Sequence, residues 1–265
     1  MKFALVNEHK TEPQPGMRGT CAHCQSETLT KCGQVKIWHW AHKSKISCDP
    51  WWENETEWPR TWKNHFPMEW QENIHIDSAT GEKHIADIKT ATDLVIEFQH
   101  SAIQPTEVKC REAFYKNMVW VVDGTRLKRD YPRFCKGFSD LKPAGVAGFF
   151  RLFFPDECLP ASWITSSVPV YFDFQGSNPV GQQDEMRSVL WCLFPDRIEG
   201  HAVLAGVRRE QFIEFSSTAP HLLFAREHIG YISQLGQLQR VKSANDATGK
   251  YLNVYPQYGR RRRRL

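Results

Sequence analysis

No apolar run in the chain approaches the ~20 residues that span a bilayer. The stretch Gly145–Pro155 is short and carries Arg151. The opening MKFALVNEHK has one brief apolar stretch before charge, without the apolar core of a secretory signal. No internal repeat is visible. Bulk charge of one sign is also missing. Lys and Arg number 34 against 30 Asp and Glu, and five of the 34 form the run Arg260–Arg264, which leaves the remainder at −1. Overall charge therefore gives no argument for nucleic acid. With 41% hydrophobic and 24% charged residues over 265 positions, the composition excludes a mostly disordered, fibrous or membrane-embedded chain. One large domain or two small ones fit that length. These absences predict a soluble, cytoplasmic protein with no membrane partner. In a reducing compartment clustered cysteines more often bind metal than form disulfides.

What is present is uneven. Four of the eight cysteines fall in the first 48 residues, and seven of the ten tryptophans lie between Trp38 and Trp70. Residues 1–50 are too poor in apolar side chains for a core of their own, so a small module there needs a staple. Cys21-Ala-His-Cys24 places two thiolates on one tight turn. His39, His42 and Cys48 follow as sources of a second pair. Four of these five would close a tetrahedral structural zinc site. Cys32 and His23 are weaker candidates, and Cys110, Cys135, Cys158 and Cys192 read as packing residues.

Residues 51–125 are periodic. Trp58, Trp62 and Phe66 recur every four residues and predict a helix over Glu57–Phe66, with Thr56 as N-cap and Pro59 tolerated in the first turn. Strands are predicted at Ile74–Ile76, His84–Thr90 and Leu94–His100. Pro105 opens a helix to about Asn117, and Met118–Val122 follows as an apolar strand. A helix leading into such a strand implies a βαβ crossover into a buried parallel position. Residues 126–165 look irregular. Further strands are predicted at Val168–Phe174, Val189–Phe194, His201–Val207 and Gln211–Phe215. The domain plan is a zinc module at 1–50, a core at 51–125, an α/β extension at 126–240 and a flexible polar, basic tail at 241–265.

Strand alternation puts Glu97 and Gln99 on one face with Val95, against Leu94, Ile96 and Phe98. A carboxylate in so apolar a strand needs a partner or a metal. Asp87 on the preceding strand supplies a second carboxylate, and the pair suits Mg²⁺ with waters and phosphate oxygens. The spacing alone fits better a polar strand face paired by Arg or Lys. Lys63 reads either as a phosphate contact or as a solvated helix residue. Arg260, Arg261, Arg262, Arg263 and Arg264 read either as a DNA contact or as a solvated tail. His84 and His100 flank the carboxylates as polar neighbours. The tryptophans fit base stacking or, more simply, packing of the zinc module on the core.

Several ordered motifs resemble the competence protein CoiA-like nuclease family. Trp38-His-Trp-Ala-His-Lys43 after a CxxC resembles its HFAH-type motif. Glu55-Thr-Glu-Trp58 with Trp62-Lys63 is similar to its first helix. His84-Ile-Ala-Asp87 and Ile96-Glu-Phe-Gln-His-Ser101 resemble its carboxylate strands. Glu107, Arg111 and Tyr115 fall as in its next helix, and Val119-Trp-Val-Val122 as in its last strand. The match spans about residues 18–125. The resemblance implies an α/β restriction-endonuclease-like PD-(D/E)XK core, a mixed central sheet flanked by helices. It implies a Mg²⁺- or Mn²⁺-dependent nuclease acting on DNA, with recombination or DNA-processing proteins as partners. It implies Asp87 and Glu97 as metal ligands and Gln99 where most of the superfamily has Lys, with Glu57 as accessory. Two positions depart from the pattern: Pro59 replaces a His, and Ile85 replaces the Arg of R-A-D. They favour the rival reading of a non-catalytic DNA-binding accessory protein. A protein-interaction module built on the zinc region and tail is the third reading.

Overall fold

Two sheets organise the chain in this computed structural model, which describes residues 1–44, 48–53, 55–176 and 184–238. The first is built from short strands: β1 Ala4–Val6, β2 His9–Thr11, β3 Arg18–Thr20, β4 Glu27–Lys31 and β5 His39–His42. They pair antiparallel in the order β2-β1-β3-β4-β5. The buried set beneath them is only Met1, Ala4, Cys21 and Trp40. So small a core does not hold a sheet alone.

The second sheet begins after the helix α1 Glu57–Lys63, with β6 Gln71–Ile76, β7 Lys83–Lys89 and β8 Val95–Gln99. The helix α2 Pro105–Tyr115 crosses to β9 Met118–Asp123, which lies parallel to β8. Every residue of β8 and β9 is buried, as a crossover strand covered on both faces requires. The chain continues through α3 Asp130–Phe138, β10 Lys142–Pro143, β11 Phe149–Leu152, α4 Pro155–Cys158 and β12 Val170–Asp173. It then forms α5 Glu185–Ser188, β13 Val189–Ile198, β14 His201–Arg208 and α6 Arg209–Thr218, and is helical over 226–238. The nine strands run β10-β11-β14-β13-β12-β9-β8-β7-β6. β8, β9 and β12 are mutually parallel and the remaining pairings antiparallel, so the fold is mixed α/β.

Helices cover both faces. Trp58, Trp62 and Phe66 pack with Phe212 on Ile96, Phe98, Val119 and Val121. Val108, Phe114, Tyr115 and Phe134 pack with Val95, Trp120 and Val122 on the other side. Among the described residues no helix is long and apolar enough to cross a membrane.

Three local expectations change. Gln211–Phe215 lies within α6, not in a strand: its buried side chains, Phe212 and Ser216, fall four apart, a helical spacing that a short Phe-Ile-Glu-Phe window mimics as alternation. The stretch 126–165 carries α3, β10, β11 and α4 rather than irregular chain. The first helix ends at Lys63, before Phe66, and Thr56 occupies the N-cap without a side-chain cap bond. The strands after residue 126 extend the sheet that β6–β9 begin. Arg260–Arg264 lie outside the described residues.

One buried acid fastens the two halves. Asp173 ends β12 with no exposure. Its Oδ2 accepts from Trp58 Nε1 at 2.9 Å and Trp62 Nε1 at 3.0 Å, and pairs with Arg209 of α6. Its Oδ1 accepts from the Gln175 amide at 2.9 Å. Breaking a buried pair strands the remaining charge, so Asp173→Ala should destabilise the chain by about 3–5 kcal/mol in urea unfolding. A loss under ~1 kcal/mol would contradict this anchoring role.

Candidate active site and metal centre

β7 and β8 pair only through Ile88↔Ile96 and Lys89↔Val95. Beyond that point side chains take over the ladder. The Asp87 amide donates to Glu97 Oε1 at 3.1 Å, and the Phe98 amide donates to Asp87 Oδ2 at 3.0 Å. Backbone amides in such a gap need acceptors, so each strand's carboxylate satisfies the other strand. Asp87 and Glu97 are thereby brought together, with Glu97 4% exposed.

A cleft of about 70 Å³ lies over this gap. Asp49, Glu53, Glu55, Glu72, Asp87 and Glu97 line it against two side-chain cations, Lys63 and Arg111. Lys63 is buried and reaches Glu55 at 3.1 Å, Glu72 at 3.0 Å and Asp87 Oδ1 at 3.6 Å. Arg111 of α2 donates to Glu97 Oε2 at 3.1 Å and to the Trp51 carbonyl at 2.9 Å, and pairs with Glu107. Gln99 donates to Glu53 and to the Ser101 carbonyl at 3.2 Å.

The electrostatics follow. Burial, and then the neighbouring Asp87, push Glu97 up to about 8, against the pull of Arg111. Burial also raises Asp87, helped by Glu55 and Glu72 and opposed by Lys63. Glu72 goes the other way. Burial would raise it, but Lys63, the Met1 ammonium and the Lys2 amide it accepts hold it down to about 2. Lys63 is held above its ordinary value: burial alone would lower it, and Glu72, Glu55 and Asp87 outweigh that. Two adjacent carboxylates that resist ionising are short of positive charge.

The structure separates the proposed site residues. Asp87, Glu97 and Gln99 meet in the cleft, and Lys63 joins them as a buried, fully paired cation rather than a solvated one. Glu57 is exposed at the start of α1 and away from the cleft; Glu55, two residues earlier, faces Lys63. The cleft also takes in Glu55, Glu72 and Arg111; Glu55 and Arg111 stand in the quoted motifs without a site role, and Glu72 carries no spacing signal. Glu72 stands outside the alternating Ile74–Ile76 pattern because it holds a left-handed φ of 46°, which turns its carboxylate onto Lys63. Such a conformation costs about 1–3 kcal/mol and persists only where partners enforce it.

The cysteine module adds a second centre. Cys21, Cys24, His42 and Cys48 offer ligand atoms all within 4.8 Å of one another. The Sγ atoms of Cys21 and Cys48 are 3.7 Å apart, and Cys24 Sγ is 3.2 Å from His42 Nε2. A tetrahedron with Zn–S near 2.3 Å has sulfur–sulfur edges of about 3.8 Å, so the thiolates already stand at metal spacing. Cys24 is drawn down to about 6: burial raises it, and hydrogen bonds from Ser26 and the neighbouring thiols outweigh that. Burial raises Cys21 and Cys48, a rise that a bound cation reverses. His39 is not in the group; its Nδ1 sits 2.9 Å from the Ile37 carbonyl. His39 and His42 lie three apart on β5, and an odd offset on a strand points to opposite faces. His23 stands beside the cluster, with Nδ1 3.3 Å from Cys48 Sγ and Nε2 3.0 Å from the Lys83 carbonyl.

Among the described residues this Cys₃His group is the one set of three or more such side chains with ligand atoms so close; Asp87 and Glu97 form a pair. The two define a paired-carboxylate cleft beside a Cys₃His cluster able to hold a metal such as zinc. The family model described as competence protein CoiA, N-terminal domain, matches residues 14–50, the stretch that carries all four of these side chains. No curated protein and no solved structure matches the chain.

The cluster should hold about one zinc per chain by elemental analysis. His42→Ala should lose it and His39→Ala should keep it; zinc absent from freshly purified, chelator-free wild type would rule the cluster out. The cleft predicts a pH trend in buffer without added divalent metal. Glu97 keeps its proton to about pH 8 when folded but only to about 4.5 when unfolded. The folded chain therefore binds more protons across that window, and its stability falls as pH rises through it. Tm should drop between pH 5 and pH 8, and Glu97→Gln should flatten the trend.

Proposed function

We propose that the chain is a metal-dependent nuclease of the PD-(D/E)XK type that hydrolyses DNA phosphodiester bonds in DNA processing or recombination. The carrying observation is the pair Asp87 and Glu97, set into the β7–β8 gap with ionisation suppressed by burial and by neighbouring carboxylates. The order α1, β6, β7, β8, α2, β9 supports the restriction-endonuclease-like reading.

The residues fit a divalent ion, since the carboxylates lining the cleft outnumber its cations. Asp87 and Glu97 would hold Mg²⁺ or Mn²⁺, which supplies a polarised phosphate and a more acidic bound water. Gln99 uses its amide N–H on Glu53 and Ser101, which leaves its carbonyl as a neutral acceptor for water. It brings no charge. The ammonium facing Asp87 is Lys63, delivered from α1 instead of β8. Arg111 holds Glu97 in place from α2. Zinc in the Cys₃His cluster is structural in this reading, because four protein ligands leave no open position.

A second reading has one observation in its favour. Arg111 already pairs Glu97 at 3.1 Å with both side chains buried, so a fixed guanidinium serves one carboxylate without metal. The chain would then bind DNA as a non-catalytic recombination accessory.

Cleavage of linear, circular, single-stranded and branched DNA with Mg²⁺ or Mn²⁺ tests both. Wild type should cut, Glu97→Ala should fall to background and Glu57→Ala should cut normally. Equal cleavage by Glu97→Ala would overturn the nuclease reading. Salt-sensitive DNA binding with no cleavage by wild type would favour the accessory.

A further inference from the structure

A second cavity adjoins the carboxylate cleft, and Gln99 lines both. It encloses about 90 Å³ beside the ends of β8, β9 and β12. That is room for about three waters at their share of liquid volume, enough for one edge of a heterocyclic base and too little for a base pair. None of its other lining groups takes part in the hydrolysis described above.

Its walls are of two kinds. Trp163, Phe172 and Phe174 are buried aromatics. Asp123, Arg126 and Asp130 add charge to the lining; Asp123 is already engaged by His100 Nδ1 at 2.7 Å and by Thr125. Arg126 is exposed and makes no ion pair among the described residues. Asp130 is 6% exposed; Arg133 donates to its Oδ1 at 3.2 Å, and among the described residues its Oδ2 accepts nothing. Aromatic walls with a few fixed polar groups hold planar rings. An ionised carboxylate accepts and never donates. Asp130 thus suits a base edge with adjacent N–H donors, such as that of guanine, better than thymine with its single N–H. A guanidinium at the rim suits phosphate.

Resting on the nuclease reading, we propose that this cavity receives the unpaired base next to the scissile phosphate, so that the substrate is single-stranded or frayed DNA. A base enters such a pocket only outside the duplex stack.

Ala102 lines the cavity from an exposed position, so Ala102→Trp fills it without touching the core. The full chain and this variant are titrated with dGMP and dTMP by calorimetry. Both are then given a single-stranded oligonucleotide and a blunt duplex with Mg²⁺, with melting curves as the folding control. Wild type should bind dGMP about tenfold more tightly than dTMP. Ala102→Trp should weaken dGMP by about tenfold or more, and wild type should cut the single strand about tenfold faster than the duplex. Equal dGMP binding by both proteins overturns the base site, as does equal cutting of both DNAs by both proteins. Loss of dGMP binding in Ala102→Trp with no cleavage by wild type supports the base site and removes the nuclease. Cleavage that Ala102→Trp leaves unchanged on both DNAs keeps the nuclease and removes the base site.

Discussion

A buried ammonium must be neutralised where it lies, and Lys63 imposes that demand on everything near it. Its three carboxylates come from separate places: Glu55 ahead of α1, Glu72 on β6 and Asp87 on β7. Meeting at one nitrogen fixes the helix against two strands. Glu72 carries the linkage further, since its oxygens also accept the Lys2 amide at 2.8 Å and the Phe3 amide at 3.0 Å. The five-stranded module is thus docked on the same hub. The left-handed backbone at Glu72 is the local strain this arrangement sustains.

The carboxylate cleft and the cysteine cluster are close in structure as well as in sequence. Asp49 directly follows Cys48 of the cysteine cluster, and its carboxylate accepts the Ile85 amide at 2.8 Å and meets His84 Nδ1 at 2.8 Å. Trp51 stacks on His84 with ring centroids 3.3 Å apart. Lys83 returns a bond to the His23 carbonyl at 2.7 Å. The strand that presents Asp87 is therefore gripped by residues flanking the Cys₃His cluster. A metal held in the cluster would stiffen β7 along with the module, and His84 is spent on that grip.

Tryptophan divides between these tasks. Trp40 fills the module's small core and bonds the Thr11 carbonyl at 2.9 Å, while Trp58 and Trp62 turn inward to Asp173. Trp51 joins module and core. Trp38 and Trp52 remain about half exposed. An indole N–H buried without an acceptor is costly, and one carboxylate on β12 relieves two of them. The C-terminal strands thereby hold the helix that carries Lys63.

The sequence by itself determined the local features. CxxC announced a metal turn, alternation put Glu97 and Gln99 on one face, and an apolar run after a helix announced the parallel strand β9. Each depends on residues within one turn or strand, where period and spacing act directly. Tertiary structure decided what crosses the chain. It chose His42 over His39 through the face of β5, Glu55 over Glu57 through the reach of Lys63, and Arg111 as the partner of Glu97 across 14 residues. It opened the gap between β7 and β8, which no spacing encodes, because strand divergence follows from which buried groups must be paired. It turned Gln211–Phe215 into a helix by offering the α1 face of the sheet for Phe212 to cover. Pairing between distant residues is set by burial and charge balance, and those exist only once the chain has folded.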